Sequence, residues 1–202
     1  MKRLITVLVF SQLFGISLSA QALTVDLRFQ PTASTAPSQA VQKSIRELKA
    51  IKLYPFTDER NIGDKVLGEF LVNGQPEKVA ANIPVADYAA DTFKSLYEEW
   101  GGRISANGEF SLKGEVTQFS FEESEGYQAR VGIHFYLADD SGRVIWDGHS
   151  SGVIKGARIV TPKTLPNIIS DVLLATIKEL FEDPKLVGVW SGKVASSYVV
   201  KE

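Results

Sequence analysis

The sequence predicts an α+β domain: an antiparallel-rich sheet of about five strands with two helices packed on one face. Three observations carry this expectation. From Tyr127 to Leu137 the odd positions are Tyr, Ala, Val, Ile, Phe and Leu, and the even ones Gln, Arg, Gly, His and Tyr. That period of two marks a strand with one face buried and one wet. Asp139-Asp140-Ser141-Gly142 is a run of turn formers, and the chain extends again through Val144 and Trp146 towards Gly152, which makes a hairpin. Finally, Pro84 to Trp100 and Thr161 to Asp183 carry apolar residues at helical spacing.

The chain opens with the basic Met1-Lys2-Arg3, an apolar run from Leu4 to Leu18, and the small-x-small triplet Ala20-Gln21-Ala22. Residues 1–22 therefore read as a cleaved secretory signal peptide, with no membrane span in the mature chain and a periplasmic destination. Residues 23–202 suffice for one domain with its own core. The whole chain has a formal charge of −2, and losing Lys2 and Arg3 makes it more acidic. With no basic cluster, nucleic acid is not an expected partner. There is no cysteine, which excludes disulfides, thiolate metal sites, a Cys nucleophile and a lipid attached through Cys.

Leu23 to Phe29 alternates and reads as a first strand. Residues 31–46, rich in Pro, Ser, Thr, Ala and Gln, read as a loose connection with a short helical turn near Val41 to Leu48. Ala50 to Phe56 is a second strand ending near Pro55. Residues 58–83 read as a long loop in which Leu67 to Val72 makes a small hairpin arm before Asn73-Gly74. The first long helix places Val85, Ala89, Phe93, Leu96 and Trp100 on one stripe and stops at Gly101-Gly102. Phe110 to Glu122 is a strand with a phase error, since Leu112, Gly114 and Val116 share one face while Phe119 and Phe121 fall on the other. A one-residue bulge near Thr117-Gln118 brings all five inward. The second long helix carries Leu165, Ile169, Val172, Leu173, Ile177 and Leu180, with Thr164 at its cap and Asp183-Pro184 at its end. Residues 184–202 read as an edge strand or tail, in which Trp190 and Tyr198 pack at the edge, with a docking or dimer element as the alternative.

For the hairpin, a two- or four-residue turn pairs Leu137 with Val144, Phe135 with Trp146 and Ile133 with Gly148. This register sets His134 opposite Asp147, with His149 diagonal to it, and so gathers both histidines of the chain around one carboxylate. Two imidazoles and a carboxylate could ligate a divalent metal, although flat sheets seldom converge three side chains within zinc's bond length. A solvated Asp–His pair is the plainer reading. No G-x-S-x-G is present, Gly63 to Gly68 lacks the G-K-[ST] ending of a P-loop, and the Asp58 to Asp64 stretch lacks EF-hand spacing.

Phe56-Thr57-Asp58-Glu59-Arg60-Asn61-Ile62-Gly63 and the segment from Val131 to Gly148 resemble the YajG-like periplasmic lipoproteins, and more loosely the auxiliary lipoproteins of envelope ABC transporters. Asp58 and Arg60 match the Asp-x-Arg after an early strand in those families. Asp140, Gly142 and Trp146 match the turn of their meander. Members are anchored by a lipid on Cys, which this chain lacks. The resemblance implies no catalytic residue.

The resulting expectation is a non-enzymatic binding or accessory module of the bacterial envelope, without a cofactor. Its partner would be an envelope protein or transport component, or a second copy meeting through the sheet face or the C-terminal tail. Candidate binding residues are Asp58 and Arg60 in the loop and Arg130 and Tyr136 on the wet sheet face. The alternatives are a metal-dependent or other hydrolase using His134, Asp147 and His149 or the 58–82 loop, and a small-ligand carrier with a pocket between helices and sheet.

Overall fold

A computed structural model describes residues 23–72, 75–123, 125–157 and 160–193. In chain order the elements are Leu23–Val25 (β1), Gln39–Glu47 (α1), Ile51–Leu53 (β2), Thr57–Asp58 (β3), Val66–Val72 (β4), Gln75–Ala81 (β5), Val85–Glu99 (α2), Phe110–Glu123 (β6), Tyr127–Ala138 (β7), Val144–Gly156 (β8), Leu165–Leu180 (α3) and Pro184–Trp190 (α4). The predicted leader, the Asn73-Gly74 turn and the tail with Tyr198 lie outside the described residues.

The class is α+β as expected, but among the described residues the sheet is mixed and has eight strands, and there are four helices rather than two. The long meander β6-β7-β8 is antiparallel. The free edge of β6 then receives β2, β3 and β4 in succession, all parallel to it. β5 pairs antiparallel with β4, and β1 pairs parallel with β5 at the far edge. β2 lies within the strand expected at Ala50 to Phe56, but periodicity gives faces and not partners, so the parallel pairing with β6 is not legible, and β3 is only two residues long.

The bulge expected in β6 is present. Val116 pairs with Ile133 and Gln118 with Gly132, so Thr117 is the extra residue. Leu112, Val116, Phe119 and Phe121 are consequently all buried. The core they enter is shared by Ile45 and Leu48 at α1, by Val85, Ala89, Phe93, Leu96 and Trp100 of the first long stripe, and by Ile169, Val172, Leu173 and Ile177 of α3.

Three segments differ from the sequence expectation. Residues 31–46 are tied down: Asp171 accepts from the Thr32 and Ala33 amides, the Trp100 indole donates to Thr35 O, and Ser38 caps α1. Most of residues 58–83 form the β4–β5 pair instead of a loop, with Leu67, Val79 and Ala81 turned inward. Gly68 permits this pair to lie against β6, because its φ is +139° and a Cβ there would stand 2.0 Å from Phe121 O. Residues 184–190 are helix, not edge strand. Asp183 accepts from Lys185 N and Pro184 starts the first turn, so the pair that ends α3 also begins α4. A short apolar run such as Leu186 to Trp190 does not reveal its own period, so its sequence does not tell helix from strand.

The hairpin register also differs. Leu137 pairs with Trp146, Phe135 with Gly148 and His134 with His149, while Ala138 pairs with Val144. Ile145 is thus a second bulge, and both Ile145 and Trp146 are buried. The face parity expected for β7 survives, since the slip is by two residues, but every partner changes.

Trp190 is fully buried, stacks on Tyr97 at 5.4 Å and donates its indole N–H to Lys49 O at 2.9 Å. Trp190→Ala is expected to cost about 3–5 kcal/mol in urea denaturation. A loss under about 1 kcal/mol would mean that α4 is peripheral.

Candidate functional site

The face of the meander turned away from the helices carries rows of side chains set by the pairing. Lys113, Tyr136 and Asp147 lie abreast across β6, β7 and β8, and Glu115, His134 and His149 form the next row. These rows are linked. Lys113 Nζ contacts Glu115 Oε1 at 2.7 Å, and Tyr136 Oη donates to Glu115 Oε2 at 2.8 Å. Tyr136 Oη also meets His134 Nδ1 at 3.1 Å, and His134 Nε2 meets Asp147 Oδ2 at 3.2 Å. Desolvation, reinforced by the Glu115 carboxylate it donates to, pushes the Tyr136 phenol up to about 12. Lys113 above all holds Glu115 below its ordinary value. A phenol this reluctant to ionise is a poor base or nucleophile and a good fixed donor.

His149 does not join this chain. Its ring lies over the bare Cα of Gly132 and its Nε2 meets Thr117 Oγ1 on the β6 bulge at 3.0 Å. The structure therefore brings His134 and Asp147 together and turns His149 towards a different strand. Among the described residues no group of three or more His, Cys, Asp or Glu is placed to hold a metal ion. Arg130 stands two rows further on, between Ser120 and Val153.

At the hairpin end of this face the surface sinks into a groove of about 470 Å³, lined by Tyr54, Lys113, Glu115, Tyr136 and Val144 among others. Tyr54 is one of the exposed large hydrophobic residues, at 43 %. Lys52 sits over its ring at 4.9 Å, and Lys113 over that of Tyr136 at 5.8 Å. The groove's rim at Gly142 is shaped by Asp139. Its carboxylate accepts from Ser141 N and Oγ and from Arg143 N and Nε. Asp139, not the Asp140 singled out from sequence, thus organises the turn. Sequence reasoning passed over Tyr54, although the alternation Ile51 in, Lys52 out, Leu53 in, Tyr54 out carries the signal.

Asp58 and Arg60 lie elsewhere, inside the fold. The side chains are only 12 % and 4 % exposed. Arg60 Nε and Nη2 grip the two Asp58 oxygens at 2.8 and 2.7 Å. Nη1 donates to Val66 O at 2.8 Å and to Phe119 O at 2.7 Å, and Nη2 also reaches Gly63 O at 3.3 Å. All five donors of the guanidinium are engaged within the chain. Burial works to raise the Asp58 carboxyl, but the side-chain and backbone hydrogen bonds from Arg60 outweigh it and hold the group below its ordinary value.

No family model matches the sequence, and no curated protein matches it. Solved structures match the fold. A Xanthomonas campestris protein of the DUF330 family superposes with a TM-score of 0.61 at 12 % identity, covering 86 % of this chain and 100 % of that one. An uncharacterized protein gives 0.51 at 8 % identity over 81 % and 99 %. The lipoprotein GNA1162 from Neisseria meningitidis gives 0.39 at 12 % identity over 67 % and 99 %, too loose a likeness to argue from. At these identities the likeness is one of fold.

Arg60→Met is expected to cost about 3–5 kcal/mol in urea denaturation, because it leaves Asp58 buried and unpaired. Adding Asp58→Asn should return part of that loss. The Asp58 contribution is present in full above the unfolded carboxylate range, about pH 4, and is lost as pH falls through the lower folded value. Acid titration of the Asp58→Asn protein should lack that component.

Proposed function

We propose that this chain is an exported, non-enzymatic accessory module of the bacterial envelope that docks a protein partner through the Tyr54–Tyr136 groove. The observation that carries the reading is the groove itself. Two tyrosine rings, a fixed Lys–Glu pair and an aliphatic floor stand open on a sheet face that no helix of the described residues covers. Tyrosine with a satisfied polar rim is the composition of an interface centre.

The export reading rests on the sequence of residues 1–22. No helix among the described residues is long and apolar enough to cross a membrane. The resemblance to YajG-like and transporter-auxiliary lipoproteins rests on Asp58, Arg60, Asp140, Gly142 and Trp146 and suggests a transport component as partner. On this reading Asp58 and Arg60 act by holding the fold behind the groove, while Tyr136 and Tyr54 touch the partner. The groove's volume also falls in the range of small-ligand sites, so a carrier is the second reading, with its site on the wet face rather than between helices and sheet.

A photo-crosslinking residue placed at Tyr54 in cells should give a discrete envelope-protein adduct, and one at Glu98 on the outer face of α2 should not. Tyr136→Ala should lower the adduct yield about tenfold or more, with thermal unfolding little changed. Equal yields from both positions would overturn the docking assignment. A small-molecule adduct at Tyr54 would favour the carrier.

A further inference from the structure

Among the described residues the strand order β1-β5-β4-β6-β7-β8 ends at β1, three residues long, and at β8, thirteen residues long. A long open edge is a template for another strand unless something blunts it. In an antiparallel ladder, alternate residues point N–H and C=O away from the partner strand. Ser151 belongs to that outward set on β8, since its N–H donates to Glu179 Oε2 at 2.6 Å. By the same alternation Asp147, His149, Val153 and Lys155 belong to it too, and their side chains stand on the wet face. Glu179 reaches the edge from the last turn of α3 and also accepts from Ser150 Oγ at 3.1 Å. Among the described residues it is the one side chain bonded to a β8 amide.

The sequence of this edge is self-complementary about Ser151. A second copy laid antiparallel with Ser151 at the two-fold axis sets each Asp147 against the other chain's Lys155 and each His149 against Val153. The two Ser151 residues then exchange N–H···O=C bonds. Opposite charges meet twice, and Val153, exposed at 53 %, gains a neighbour. Moving the axis by two residues in either direction loses both Asp–Lys pairs.

We propose that β8 is a self-association edge for a second copy of this chain, and that Glu179 holds it shut by occupying the Ser151 amide at the centre of the two-fold register. The Glu179 carboxylate and the partner's Ser151 carbonyl compete for one donor, so only one of them can be in place. This differs from docking through the sheet face, and it does not depend on the groove.

Sedimentation velocity on the full chain tests the proposal. Wild type and Glu179→Gln, which keeps an acceptor for the Ser151 N–H, are expected to be monomers at tens of micromolar. Glu179→Ala is expected to double in mass. Lys155→Glu in the Glu179→Ala background should weaken that dimer about tenfold or more, and exchanging the charges with Asp147→Lys and Lys155→Asp should restore it. Thermal unfolding confirms that each variant is folded, and Glu179→Lys opens the same edge if Glu179→Ala does not fold. A folded Glu179→Ala monomer, a dimer indifferent to Lys155→Glu, or a wild-type dimer of equal strength would each overturn it.

Discussion

Strand β6 is the axis of the sheet, and one guanidinium makes its open edge usable. β7 covers one side of β6 along almost its whole length. The other side is taken by β2 at 110–112, by β3 at 115–116 and by β4 at 121–122. Between β3 and β4 no strand of the described residues pairs with this edge of β6, and Arg60 fills the gap by donating to Phe119 O on β6 and to Val66 O at the start of β4. A buried guanidinium is tolerable only when its charge is paired and its donors are satisfied. Asp58, the last residue of β3, supplies the charge. One ion pair therefore joins β3, β4 and β6 along an edge where β3 and β4 each pair with β6 over only two residues.

That arrangement also determines what the wet face presents. Between β2 and β3 the chain passes through Tyr54-Pro55-Phe56. Phe56 is buried against Gly114 and meets Phe135 edge-on at 5.8 Å. With Phe56 drawn into the core, Tyr54 is left on the opposite side, beside Lys113 and Tyr136. The groove thus depends on the same crossover that Asp58 and Arg60 secure from its far end. The Asp-x-Arg motif supports the groove without lining it.

Much of this was legible from the residues, and the failures have physical causes. The alternation of β7 and the phase error of β6 imposed a bulge at Thr117, because only a bulge buries Val116 and Phe119 together. The helical stripes through Phe93 and Val172 were equally plain, since fifteen or more residues repeat the pattern. The hairpin register was not legible. Ile145 and Trp146 are adjacent and both buried, so alternation gives no phase where the second bulge sits. This moved His149 opposite His134 and towards Thr117. The Asp-x-Arg spacing of Asp58 and Arg60 is plain, but sequence does not tell a buried carboxylate–guanidinium pair from an exposed one. The alternation from Ile51 puts Tyr54 on the wet face, but which strand it then lies beside depends on the parallel pairing of β2 with β6, and that is not in the local sequence.

Hydrogen exchange tests the central role of Arg60 most directly. The Asp58→Asn/Arg60→Met protein removes the ion pair without leaving a buried charge. Its Glu59 amide, which bonds Val116 O at 3.0 Å, and the amides of β4 should exchange much faster than in wild type, while those shared by β7 and β8 keep their protection. Unchanged protection at Glu59 and along β4 would contradict the account, for the short parallel strands would then hold β6 without the guanidinium.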